Sequence, residues 1–136
     1  MERRYLLDTN TASYIIKGSH PAVDRRLSRV PAERIVISTV TEGELRFGAA
    51  RRPEATHLRS LIENFFLRVA ILPWDSEAAR QYGELRADLE GRGQPIGNVD
   101  TMIAAHALAL DAVLVTSDRA FRRIRGLIVE DWTVHR

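Results

Sequence analysis

The chain has 136 residues, 45% of them hydrophobic and 28% charged, with a formal net charge of +2, which fits one domain with an ordinary core and excludes a disordered chain. Cysteine is absent, so disulfides, thiolate nucleophiles and zinc–cysteine sites are excluded. The 20 basic residues are nearly all arginine, whose planar fork can bond two phosphate oxygens at once, a bias compatible with nucleic acid.

Met1-Glu2-Arg3-Arg4 leads straight into the apolar run Tyr5-Leu6-Leu7. That run is too short for a signal-peptide core or a membrane span, so a cytoplasmic protein without membrane association is expected. Residues 4–7 read as a buried strand closed by Asp8, with helical segments at 11–17 and 21–29 behind it. A second strand is expected at 34–38, followed by helices at 39–50 and 54–66 that are broken at Pro53. Residues 68–72 form the third strand and 76–91 a long amphipathic helix. After the turn Gly93-Gln94-Pro95-Ile96-Gly97, a helix is expected over 98–110 with Asn98 as its N-cap. Residues 112–115 are the fourth strand, and a weaker fifth lies at 127–129. Short apolar strands alternating with helices predict a three-layer α/β/α domain spanning 1–136. Its central sheet is expected to be mostly parallel, with four to five strands.

Ligands of such sheets bind beyond the carboxyl ends of the strands. Asp8 ends the first strand, Asp118 follows the fourth, and Glu44 lies a turn and a half into the helix after the second. Asp100 opens the helix that feeds the fourth strand and shares a face with Ile103, Ala104, Ala107, Leu108 and Asp111. Four acids therefore converge on one edge. Two carboxylates about 4 Å apart repel by about 4 kcal/mol at an effective dielectric near 20, so gathering several of them points to a hard divalent cation. His20, His57, His106 and His135 are scattered, which favours Mg2+ or Mn2+ over zinc.

Each acid also has a plainer reading. Asp8 can cap the next helix, Asp100 can answer a helix dipole, and Asp118 can be a turn residue. Glu42 competes with Glu44 from another helical face. His106 lies off the Asp100 stripe and is expected at the surface or an interface. Trp74 and Trp132 read as packing anchors. Phe47, Phe65, Phe66 and Leu67 suit either a groove or the core. Arg51, Arg52, Arg119, Arg122, Arg123 and Arg125 suit either a solvated face or a phosphate track.

In order, the motifs are Leu7-Asp8-Thr9-Asn10, then Thr41-Glu42-Gly43-Glu44-Leu45 with Phe47-Gly48, then Gly97-Asn98-Val99-Asp100 with Ile103 and His106. Thr116-Ser117-Asp118 with Phe121 and a closing Glu130-Asp131-Trp132 complete the set. From residue 4 to 132 the chain resembles the PIN-domain ribonucleases, and within them the VapC-type toxins of bacterial toxin–antitoxin modules. The resemblance implies a PIN-like fold, with Asp8, Glu44, Asp100 and Asp118 on the acidic metal-site positions and Asn10 and Thr116 on supporting ones. Asn98 stands where the family often has proline and Ser117 where it often has asparagine; the fourth acid varies. It further implies an Mg2+-dependent endoribonuclease, with Mn2+ as a substitute, held in check by a small VapB-like antitoxin and assembled as a homodimer. A non-catalytic RNA- or partner-binding module on the same scaffold is the alternative. A haloacid-dehalogenase-type phosphohydrolase is disfavoured, because Asn10 occupies the place of its second aspartate.

Overall fold

Four runs of aliphatic and β-branched residues build the centre of the domain. In the computed structural model, which describes residues 2–134, they form strands β1 (Tyr5–Leu7), β2 (Ile35–Ser38), β3 (Ala70–Leu72) and β4 (Val113–Val115), with a short β5 (Val129–Glu130) at the edge. The order is β3-β2-β1-β4-β5, and every neighbouring pair is parallel. Parallel neighbours require crossovers, and helices provide them. They are α1 (Thr9–Lys17), α2 (Pro21–Leu27), α3 (Thr39–Ala50), α4 (Thr56–Arg68), α5 (Ser76–Gly91) and α6 (Asn98–Leu110).

Alternation along the strands divides the core into two layers. Tyr5, Leu7, Ile35, Ile37, Val113 and Val115 pack with Ile16, Val23, Ile62 and Phe65 on one face. Leu6, Val36 and Leu114 pack with Leu85, Leu89, Ile103 and Ala104 on the other. Both faces are covered, which is why the strands read as continuous apolar runs. The expected three-layer α/β/α architecture is present.

The bounds of α3, α5 and α6 match expectation, whereas the strands lose a residue or more at their starts and β5 moves to 129–130. α1 begins at Thr9 because Asp8 caps it. Asn98 is the first residue of α6 rather than its cap; Gly97 holds that place without a side-chain bond. Gly18 ends α1 at φ 60°, a left-handed conformation that frees its N–H to reach Ile15 O at 3.2 Å.

His106 corrects the expectation of an exposed residue: it is 1% exposed. α6 is buried from Thr101 to Ala107 except at Met102, so its polar-looking side is interior as well. The imidazole Nδ1 lies 2.8 Å from Ser38 Oγ, and that oxygen accepts from Val40 N–H at 3.1 Å, capping α3. His135 lies outside the described residues. Trp132 is buried on Tyr5, with ring centroids 5.7 Å apart, and Trp74 anchors by donating Nε1–H to Met102 O at 2.9 Å. Phe65 and Phe66 belong to the core, while Phe47 and Leu67 are exposed.

Burial holds the His106 imidazole below its ordinary pKa. Such a histidine binds fewer protons folded than unfolded, so stability is full above about pH 6.5 and falls as pH drops through its folded value. His106→Ala is expected to lower the unfolding free energy by about 1–3 kcal/mol, the range for losing a buried hydrogen-bonding partner. Urea denaturation at about pH 5 and pH 7 will show a smaller pH dependence in His106→Gln than in the wild type.

Candidate active site

Asp8 leaves β1 in extended backbone, φ −74° and ψ 171°, and its Oδ1 accepts Thr11 N–H at 2.8 Å. Its own N–H donates to Val115 O at 3.0 Å, and the Thr11 hydroxyl donates to the same carbonyl at 3.1 Å. The junction of β1 and α1 is thus bonded to the end of β4. The capping reading of Asp8 holds, yet capping alone does not require burial, and the residue is 5% exposed. Burial raises its carboxyl pKa, hydrogen bonds from Thr116 and Thr11 oppose the rise, and the charge of Asp118 adds to it.

Asp100 stands in the first turn of α6, half-buried. Its pKa is raised first by burial and then by the charges of Asp118, Asp8 and Glu44. The other three acids therefore bear on Asp100 at the carboxyl edge, and Asp118 bears on Asp8 as well. Glu42 takes no part: its carboxylate pairs with Arg46 at 3.0 Å one turn along α3. Glu44, on a different face, is exposed. Asp118 is also exposed and accepts Ala120 N–H at 2.9 Å, so its turn reading holds. Thr116 is buried and accepts Asp118 N–H at 3.1 Å while bonding Asp8, which joins two of the acids through one hydroxyl. Asn10 is exposed and lines a groove with Thr9, Lys17, Glu44, Arg51 and Arg52.

Among the described residues, no three acid or histidine side chains are gathered tightly enough to hold a metal ion as they stand. Coulombic effects reach farther than ligand bonds, so mutual repulsion and an open arrangement are consistent. Asp8 and Asp100 are set on backbone that packing fixes, whereas Glu44 and Asp118 project into solvent. Thr11 is the contributor that sequence reasoning missed. A threonine three residues after a strand-ending aspartate is the available signal, since that spacing lets the aspartate cap the threonine N–H.

A parallel sheet with acids from four segments at its carboxyl edge describes a PIN domain. The PIN domain family model matches residues 5–127, and the chain belongs to that family. Within it, the chain is similar to the tRNA(fMet)-specific endonuclease VapC of Salmonella typhimurium, 36% identical over 130 residues that cover 95% of this chain and 98% of the relative. It is also 35% identical over 130 residues to Ribonuclease VapC2 of Rickettsia felis, covering 94% and 97% of the two chains. Among solved structures, DNA-bound VapBC from Salmonella typhimurium superposes with a TM-score of 0.89 at 36% identity, covering 96% of this chain and 99% of that one. VapBC2 from Rickettsia felis, bound to a promoter DNA fragment, gives 0.85 at 35% identity, covering 93% and 96%. The expected family resemblance is borne out, by the family model over residues 5–127 and by relatives that cover about 95% of the chain. Among the described residues, no helix is long and apolar enough to cross a membrane.

A carboxyl whose folded pKa is raised contributes stability at acid pH that is lost as pH climbs above about 3.8. Asp100→Asn removes that loss, so in EDTA near pH 7 it is expected to raise the Tm, with no gain near pH 3; thermal scans at both pH values check the sign. Thr116→Val leaves Asp8 without its hydroxyl partner, so the Asp8 carboxyl pKa is expected to rise further, as carbon-13 NMR titration of that carboxyl will show.

Proposed function

We propose that this chain is a divalent-metal-dependent endoribonuclease that serves as the toxin of a toxin–antitoxin module in the cytoplasm. The observation that carries the reading is the gathering of acids at the carboxyl edge, where Thr116 bonds both Asp8 and Asp118 and where Asp100, its pKa raised first by burial, also bears the charges of Asp118, Asp8 and Glu44. A divalent cation relieves that load, and the donors suit Mg2+ or Mn2+ because every one is an oxygen. Asp8 and Asp100 would hold the cation, with Glu44 and Asp118 completing its surroundings. When bound, the cation supplies activation of a water and neutralises charge on the scissile phosphate.

The chain's own groups set the stage for that chemistry. Thr11 and Thr116 orient the Asp8 carboxylate, and Thr116 ties Asp118 to it. Asn10 lies beside Glu44 in the groove, where Lys17, Arg51 and Arg52 can balance phosphodiester charge. No side-chain nucleophile is needed, in keeping with the missing cysteine. A module that only binds RNA gains nothing from four carboxylates facing its phosphates, which favours the enzyme over the binding-module reading. The relatives named as ribonucleases support RNA as substrate, and the first RNA to test is initiator tRNA. The similar structures are VapBC complexes, which supports a VapB-like antitoxin and a homodimer.

Purified wild type and Asp8→Asn, incubated with total RNA and Mg2+, Mn2+ or EDTA, test this reading. Discrete fragments are expected from the wild type with metal only, and Asp8→Asn is expected to lose on the order of 10²–10³-fold in rate, the cost of removing one charge-stabilising group. Asparagine retains the capping oxygen, so the variant still folds. Cleavage by Asp8→Asn at the wild-type rate sinks the mechanism.

A further inference from the structure

Phe47 is the one aromatic side chain exposed among the described residues, at 57%, while every other phenylalanine, tyrosine and tryptophan is buried or half-buried. It sits on α3, three residues after Glu44, and helical spacing places the two side by side. Four residues further on, the Arg51 guanidinium lies over the Phe47 ring at 4.7 Å from its centroid. Arg51 also lines the groove that contains Glu44, Asn10 and Lys17. An exposed ring, a stacked cation and an acid thus run in one line along the helix.

The two glycines of α3 lie against the same line. Gly43 precedes Phe47 by one turn and Gly48 follows Glu44 by one turn. A Cβ at either would meet nothing within 4 Å, so no neighbour in the fold requires glycine there. Glycine weakens a helix interior, and here the missing side chains leave bare backbone flanking the ring and the acid. That is room for a flat partner.

Resting on the ribonuclease reading, we propose that Phe47 is a stacking shelf for a nucleobase of single-stranded RNA beside the scissile phosphate, with Arg51 taking the phosphate of that nucleotide. Single-stranded RNA is held by aromatic faces on which bases stack and by cations that follow the backbone. Guanidinium over a ring already shows that the Phe47 face accepts a planar cation-bearing neighbour. A base displaces part of that stack while Arg51 turns to the phosphate. The shelf is a positioning element: it registers the strand and carries out no proton transfer.

Binding of a short single-stranded RNA to Asp8→Asn protein, read by fluorescence anisotropy, separates this inference from catalysis. In that background, Phe47→Ala and Phe47→Leu are expected to weaken binding about 5- to 100-fold, and Phe47→Tyr to restore it, because stacking needs a ring. Arg51→Ala is expected to lower the slope of log affinity against log salt by about 1. In otherwise wild-type protein the loss appears mainly in KM. Phe47→Trp supplies a further readout, since a base stacking on the new indole quenches its fluorescence. Equal RNA affinity for Phe47→Ala, Phe47→Leu and parent protein overturns the shelf while leaving the nuclease intact. If the same variants bind RNA normally but no longer capture the antitoxin, the face belongs to the protein partner. Failure of the wild type to bind or cleave any RNA overturns both readings.

Discussion

Two strands that are neighbours in the sheet but lie at opposite ends of the chain meet at Asp8. Its N–H and the Thr11 hydroxyl both bond Val115 O, its carboxylate caps α1, and Thr116 bonds it from the end of β4. Each bond is ordinary. Together they fix one carboxylate in a nearly dry position, which an unpaired acid could not occupy without large cost. The start of α1, the pairing of β1 with β4 and the place of Asp118 all follow from that knot.

The same knot sets the electrostatic problem of the carboxyl edge. Asp8 and Asp100 are both driven toward the protonated form, and the charges of Glu44 and Asp118 bear on Asp100. A fold selected for stability alone would place neutral or opposite charges there. It does so a few residues away, where Glu42 and Arg46 pair on α3. The contrast within one helix separates a glutamate that serves the fold from one left for other work.

Much of the architecture was legible in the sequence because breakers and apolar runs punctuate it. α3 begins after the strand-ending Ser38, and α5 starts beyond Asp75, whose carboxylate caps it. Strand ends were less legible, since they depend on pairing with neighbours far along the chain: Arg4 lies outside β1, while Tyr5 is matched by both Ile35 and Val113. His106 escaped because helical periodicity assumes one buried stripe, and α6 is enclosed by α5, the sheet and the α3 cap together. The four acids could be placed at one edge from their positions relative to the strands. Their distances could not, since Glu44 and Asp118 lie on side chains that packing does not fix.

The strand order β3-β2-β1-β4-β5 puts the first strand in the middle of the sheet and its partner β4 more than a hundred residues downstream. The acids are dispersed in the same way, from Asp8 to Asp118. During synthesis from the N-terminus, β1 therefore waits with one edge bare until β4 emerges, and long-range parallel pairing of this kind closes slowly. No nascent chain that stops short of Asp118 carries all four carboxylates. A fragment that ends before β4 lacks both Asp118 and the strand that covers the bare edge of β1, so the acids gather at one edge only after that pairing.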